Sequence, residues 1–235
     1  MEASPPLEID AAIVATPVST HAAVAEPLVR AGTWCLVEKA LAHDLDAARR
    51  IAGPRVAVGH SERFNPAVRA LSGAVPRPEV RDVRCVRRGP PSGRGEDVDV
   101  VLDRMVHDLD LLGWWWAGVP DLVRVEGDAW REVTVELASP WGRAVLTASR
   151  GPAPPERRAR LRTGAGEVEL DLLAGTCRGV AWAPAGPLDA LGAQWSAFVA
   201  RMQGAPSDVA TADDGLAALG LALRIRDALR DRCGA

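Results

Sequence analysis

The stretch VLDRMVHDLD, residues 101–110, sets Asp103, His107 and Asp110 at i, i+4 and i+7. On an α-helix, residues four apart are neighbours on one face. A carboxylate that accepts a hydrogen bond from one imidazole nitrogen fixes the tautomer and leaves the other nitrogen as a base. Asp103 and His107 therefore have the form of a proton-transfer dyad, with Asp110 one turn further along the same side. The same spacing also fits an ordinary His–Asp contact on a helix surface, and spacing alone leaves both readings open. A metal reading of His107, Asp108 and Asp110 is weaker, because Asp108 points elsewhere on the helix and no second histidine is near in sequence.

A second candidate stands apart from that helix. Lys39 is the only lysine among 28 basic residues; the rest are arginine. An ammonium is a compact point charge whose pKa shifts readily on burial, whereas a guanidinium is a planar fork that does not surrender its proton. Chance survival in an arginine-biased composition is the plain alternative.

The elements that position these residues can be read from periodicity. Residues 9–15, 34–37 and 55–59 are short apolar runs, separated by helical patterns ending at Ala31-Gly32 and spanning about 44–52. Strand, helix, strand, helix, strand with short links predicts a doubly wound parallel sheet. In such sheets ligands sit beyond the carboxyl ends of the strands, where Thr16-Pro17, Glu38-Lys39 and Gly59-His60 fall. After Pro66 the texture changes. Residues 79–88, 121–126, 131–138, 143–149, 157–163 and 166–172 alternate apolar and polar, as strands of an antiparallel sheet with one wet face do. Residues 89–97 read as a loop, 100–116 as a helix, and 188–202 and 212–229 as two final helices.

Composition narrows the field. A formal net charge of −3 offers no overall attraction to nucleic acid or an anionic membrane. The arginine-rich segments 81–94 and 150–162 alternate as exposed strands do. The run LLGWWWAGV, 111–119, is far short of the ~20 residues that span a bilayer. MEASPPLEID lacks the basic-then-apolar order of a secretory signal, so a cytoplasmic chain is expected. Cysteines at 35, 85, 177 and 233 form no C-x-x-C pair and read as reduced, mostly buried thiols.

Taken in order, IDAAIVATPVSTHAAVAEPLVRAGTWCLVEKA, VAVGHSERFNPAVRAL and VLDRMVHDLDLL resemble the glucose–fructose oxidoreductase/inositol dehydrogenase/MocA family of NAD(P)-dependent oxidoreductases. The resemblance implies an α/β fold, with an incomplete Rossmann-type parallel sheet over residues 1–65. An α+β substrate-binding and dimerisation domain with an open, mainly antiparallel sheet would follow over 66–235. It implies NAD or NADP as cofactor, a sugar, inositol or nucleotide sugar as substrate, and a homo-oligomer formed through the second-domain sheet. By the same resemblance Lys39, in place of the family's E-K-P lysine, lies beside the nicotinamide and the reacting hydroxyl. His107 takes the hydroxyl proton and Asp103 orients it. Thr16, Pro17, His21 and Glu38 border the cofactor; Arg63, Asn65 and Asp110 lie near the substrate.

Two departures from the family pattern carry expectations of their own. The family's glycine-rich G-x-G-x-x-G turn and ribose-binding acid do not occur in residues 1–235, as though roughly two βα units of ~30 residues precede Met1 in a longer chain. A shortened member that binds a sugar or assembles, without a dinucleotide, is the alternative. The second departure is Ala40, where the family has proline. A cis bond before alanine costs ~2.5–4 kcal/mol, so a trans Lys39–Ala40 bond is expected.

Overall fold

The computed structural model describes residues 9–91, 97–181 and 189–233. Part of the expected 89–97 loop and the first residue of the expected 188–202 helix lie outside these residues.

Strands β1 (Ala11–Val14), β2 (Trp34–Glu38) and β3 (Val56–Gly59) run parallel in the order β1-β2-β3. They alternate with helices α1 (His21–Arg30) and α2 (Leu45–Ile51). The apolar run of β3 is buried along its whole length, as expected of a strand covered on both faces. Asp44 caps α2 by accepting a hydrogen bond from the Ala47 amide at 2.7 Å. The Thr20 side chain does not cap α1: its hydroxyl turns back to the Pro17 carbonyl and to Thr16 Oγ1. β1 is the sheet's edge and leaves Ile13 56% exposed.

A 3-10 turn, Ser61–Phe64, leads into α3 (Pro66–Ala74) and then β4 (Val83–Gly89). The central segment of the chain is Val101–Trp116. Its first five residues, Val101–Met105, are π-helical; α4 proper is Val106–Trp116. Strands β5 (Asp121–Asp128), β6 (Glu132–Ser139), β7 (Gly142–Arg150), β8 (Glu156–Thr163), β9 (Gly166–Asp171) and β10 (Thr176–Arg178) follow. With β4 they form an open seven-stranded sheet in the order β10-β9-β8-β4-β7-β6-β5. Every pairing is antiparallel except β4 with β7.

Helix α5 (Ala190–Met202) precedes the two-residue strand β11 (Ala210–Thr211), which returns to the first sheet and pairs antiparallel with β3. The last helix, α6 (Ala212–Cys233), packs on α4 and on β5. The two halves of the chain therefore interlock. α4 lies between them, which explains why almost all of its residues are buried, Trp114, Trp115 and Trp116 included. The inward rows of the large sheet, such as Val133, Val135 and Leu137 on β6, complete the core, while their outward neighbours stay wet.

The expected order of elements is present. β10 and β11, at three and two residues, are too short to leave a periodic trace.

Candidate functional site

Lys39 follows directly on β2, at the carboxyl edge of the parallel sheet. Gly59, its neighbour in β3, pairs with Glu38 in register, and a methyl group there would fall 2.9 Å from Glu38 Oε1 and 3.1 Å from its Cα. Glycine therefore lets the two strand ends close up. Burial raises the Glu38 carboxyl above its ordinary pKa, against the backbone amide and charge of Lys39.

The Lys39–Ala40 peptide is cis, which corrects the expectation of a trans bond. That expectation weighed only the local cost of cis without proline. Ala40 is fully enclosed, and its carbonyl is engaged by His21 Nδ1 at 2.9 Å, so tertiary packing sets the conformation. His21 Nε2 lies 2.8 Å from the Thr16 carbonyl. The buried ring thus ties the turn after β1 to the turn after β2. Thr16 and Pro17 are exposed beside it.

Lys39 Nζ donates to the Asp103 carbonyl at 2.5 Å and lies 3.3 Å from Asp103 Oδ1. Burial pushes the ammonium below its ordinary pKa, and the Asp103 carboxylate opposes that shift. Arg150 Nη2 donates to the other carboxylate oxygen, Oδ2, at 3.0 Å, and Arg104 Nε stands 3.5 Å from it.

Asp103 thus serves Lys39 and two arginines, and no hydrogen bond joins it to His107 among the described residues. The expected dyad does not form, because the π-helical turn adds residues per turn and breaks the i, i+4 alignment that an α-helix would give. Asp99 fixes the start of this turn: its Oδ1 accepts from the Val101 and Leu102 amides, and its Oδ2 pairs with Arg226 on α6 at 2.6 Å.

Lys39, Asp103 and His107 nonetheless line one cleft of about 390 Å³, with Arg87, Arg88, Arg104 and Arg157. Burial pushes the His107 imidazole well below its ordinary pKa, and the charges of Lys39, Arg87, His60 and Arg157 push it the same way. Both effects favour the neutral imidazole.

Arg87, Arg150 and Arg157 were not recognised from the sequence, although the strand phase marks them. Each falls in the inward row of its strand, after Val83 and Cys85, after Leu146 and Ala148, and before Ala159 and Leu161. Arg87 and Arg157 are direct cross-strand partners. Arg87 is fully compensated: it donates twice to Asp108, at 3.1 and 2.8 Å, and once to Glu62 at 2.7 Å. Arg157 is half exposed, with Glu62 as a distant partner at 3.6 Å.

Arg63, Asn65 and Asp110 do not line that cleft. Arg63 grips Asp110 through two hydrogen bonds of 2.8 and 2.6 Å, with both residues 3% exposed. They border a second cleft of about 400 Å³ between α4 and α6, roofed by Arg77 stacked 4.0 Å over Trp114. Asn65 caps α3 through the Ala67 amide, and its side-chain NH₂ donates to Glu62 and to the Leu172 carbonyl. All its polar atoms are occupied.

No family profile matches the chain. It is 36% identical over 169 residues to the UDP-N-acetylglucosamine 3-dehydrogenase of Acidithiobacillus ferrooxidans, covering 66% of this chain and 53% of that one. It is 34% identical over 119 residues to the inositol 2-dehydrogenase of Paracoccus denitrificans, covering 46% and 35%. These matches span about half and about a third of the relatives' length. A solved structure of the Acidithiobacillus ferrooxidans enzyme superposes with a TM-score of 0.80 at 30% identity, over 94% of this chain and 79% of that one. The chain belongs to the glucose–fructose oxidoreductase/inositol dehydrogenase/MocA family of oxidoreductases.

Proposed function

We propose that this chain carries the catalytic cleft of an NAD- or NADP-dependent dehydrogenase that oxidises a hydroxyl-bearing carbon of a nucleotide sugar. The observation behind this reading is that Lys39 and His107, from opposite halves of the sequence, line one cleft under a cluster of arginines. Residues 1–65 supply the nicotinamide-facing edge and 66–235 the substrate wall.

The residues present suit a nicotinamide: Lys39, Glu38, Thr16 and Pro17 edge the carboxyl ends of β1 and β2, where a dinucleotide would lie in a doubly wound sheet. When bound, that cofactor accepts the hydride. The chain's own groups handle the proton and the charge. His107 Nε2 takes the hydroxyl proton, and the Lys39 ammonium steadies the alkoxide as it forms. Asp103 holds Lys39 in place rather than orienting His107. Arg157, in the same wall with a spare share of its charge, supports an anionic substrate such as a sugar diphosphate over a neutral polyol.

The outer face of the large sheet suits a second copy of the chain: exposed Glu132 and Glu136 on β6 complement exposed Arg84, Arg158 and Arg160 on β4 and β8, with Arg143, Val145, Thr147 and Ser149 of β7 between them.

Binding of NADH and NADPH by fluorescence, with turnover of UDP-N-acetylglucosamine and myo-inositol, tests the reading. Turnover abolished by His107→Ala is expected. The rival reading is a sugar-binding or oligomerisation module that takes no dinucleotide. Thermal stabilisation by a sugar but by neither dinucleotide, unchanged in His107→Ala, would establish that rival instead.

A further inference from the structure

With Asp103 committed to Lys39, His107 lacks the carboxylate that the sequence pattern promised it. Its Nδ1 is buried and has no hydrogen-bond partner among the described residues, which leaves Nε2 as the nitrogen facing the cleft. A second buried imidazole stands beside it. His60, 2% exposed at the end of β3, meets His107 edge-on with ring centroids 6.3 Å apart and planes at 83°. His60 Nδ1 is likewise buried, with no partner among the described residues.

Two unpaired ring nitrogens on neighbouring buried histidines are unusual, because buried polar atoms are nearly always paired. A direct N···N bond of about 3 Å would draw the centroids to within roughly 5.3 Å even when aligned. One intervening water, with bonds of about 2.8 Å on each side, accommodates the longer spacing.

The far side of His60 fixes the direction of the chain. Its Nε2 lies 3.9 Å from Asp110 Oδ1, beyond hydrogen-bond reach but close enough to favour a proton there. Asp110 accepts two hydrogen bonds from Arg63, at 2.8 and 2.6 Å, which fix its side chain in place. With Nε2 protonated, His60 Nδ1 is an acceptor.

We propose that His60 is the positioning residue for His107: His107 Nδ1–H donates to a water that donates to His60 Nδ1, and Asp110 anchors the far end. This arrangement leaves a lone pair on His107 Nε2, aimed into the cleft. The proposal rests on the dehydrogenase reading for what that lone pair does, but not for its existence. Lys39 after β2, Arg87 on β4 and Arg157 on β8 also face His107, and all are cations that keep it neutral. His60 is faced by Asp110, Arg63, Asp214 and Lys39. Burial lowers the pKa of both rings.

The chain has four histidines, so ¹⁵N-histidine labelling gives a resolvable set of imidazoles. Long-range ¹H–¹⁵N spectra of the full chain without ligands are expected to show His107 as the Nδ1–H tautomer and His60 as the Nε2–H tautomer. His60→Phe, which removes both nitrogens, shifts His107 to a mixture of tautomers. His60→Asn, whose Oδ1 can replace the Nδ1 acceptor, restores the Nδ1–H form. Asp103→Asn leaves it unchanged. An Nε2–H tautomer of His107 in the wild type overturns the proposal even if no variant folds, and so does a His107 signal unaltered in His60→Phe. These spectra need no turnover. If they come out as expected and the chain is inactive on every sugar, the enzyme reading fails while the histidine pair stands. In an active enzyme, His60→Phe lowers kcat by about tenfold or more with little change in KM, within the range a general base contributes.

Discussion

Lys39 Nζ lies 2.5 Å from the backbone carbonyl of Asp103 and 3.3 Å from its carboxylate, so residues 64 positions apart share one anchored charge. The carbonyl belongs to a π-helical turn, where backbone groups are less strictly paired than in an α-helix. Lysine suits the spot because one nitrogen on a flexible stem reaches both acceptors, whereas a planar guanidinium would overfill it.

Lys39→Arg tests that fit. The charge is kept, but its placement toward a substrate oxygen is lost. Removing a single donor to a developing oxyanion typically costs about 10²–10³ in kcat, and a loss of that order is expected with dinucleotide binding retained. Activity of Lys39→Arg within a few-fold of wild type would show that any cation suffices there.

Arg157 separates substrate classes. A hydrogen bond to a charged group contributes about 1.5–3 kcal/mol, so Arg157→Gln should raise KM for a nucleotide sugar by about tenfold or more. kcat and the KM for an uncharged polyol should hardly move. Equal effects on both substrates would place Arg157 outside the recognition of charge.

How much of this was legible in the sequence differs from element to element. The parallel βαβ order follows from short apolar runs that end at turns, and the large sheet from period-two alternation. α4 falls within the helix expected over 100–116. The π turn left no trace, because VLDRM has the composition of an ordinary helix and its widening is imposed by the Asp99 cap and the packing against β7 and α6. The pairing of Asp103 with His107, which assumed α-helical spacing, failed with it. Arg87 and Arg157 were legible in principle: an arginine in phase with Val83 and Cys85 contradicts the pattern of its strand, and such a contradiction marks a buried network or a site. The cis Lys39–Ala40 bond follows from long-range packing and could not be read locally.

Arg63 offers a contrast with the cleft residues. Its grip on Asp110 is buried, so Arg63→Met leaves a buried carboxylate uncompensated, a change that costs about 3–5 kcal/mol. Urea denaturation is expected to show that loss, while KM for the sugar in the remaining folded protein stays near wild type. A raised KM without loss of stability would return Arg63 to the substrate.

His60 and His107 also set how stability responds to acid. Burial holds the folded pKa of both His60 and His107 below the ordinary value, His107 well below it. The unfolded chain titrates near the ordinary pKa of about 6.5. As pH falls through that value the unfolded rings take up protons that the folded rings refuse. The unfolded state then binds more protons, so unfolding free energy declines with falling pH, by up to about 1.4 kcal/mol per pH unit for each histidine. The loss continues downward until the folded rings themselves protonate. Carboxylates such as Asp208 and Asp214, held low in the folded state by their arginine partners against burial, act in the same direction but only near and below about pH 4. Glu38, raised by burial, acts in the opposite direction above its ordinary pKa. The difference in slope between wild type and His107→Asn, not the slope itself, therefore isolates His107 between pH 6.5 and 5. His107→Asn should flatten the slope by up to one proton's worth. A slope unchanged in His107→Asn would mean that the ring is already protonated in the folded protein, and the neutral base in the cleft would be lost with it.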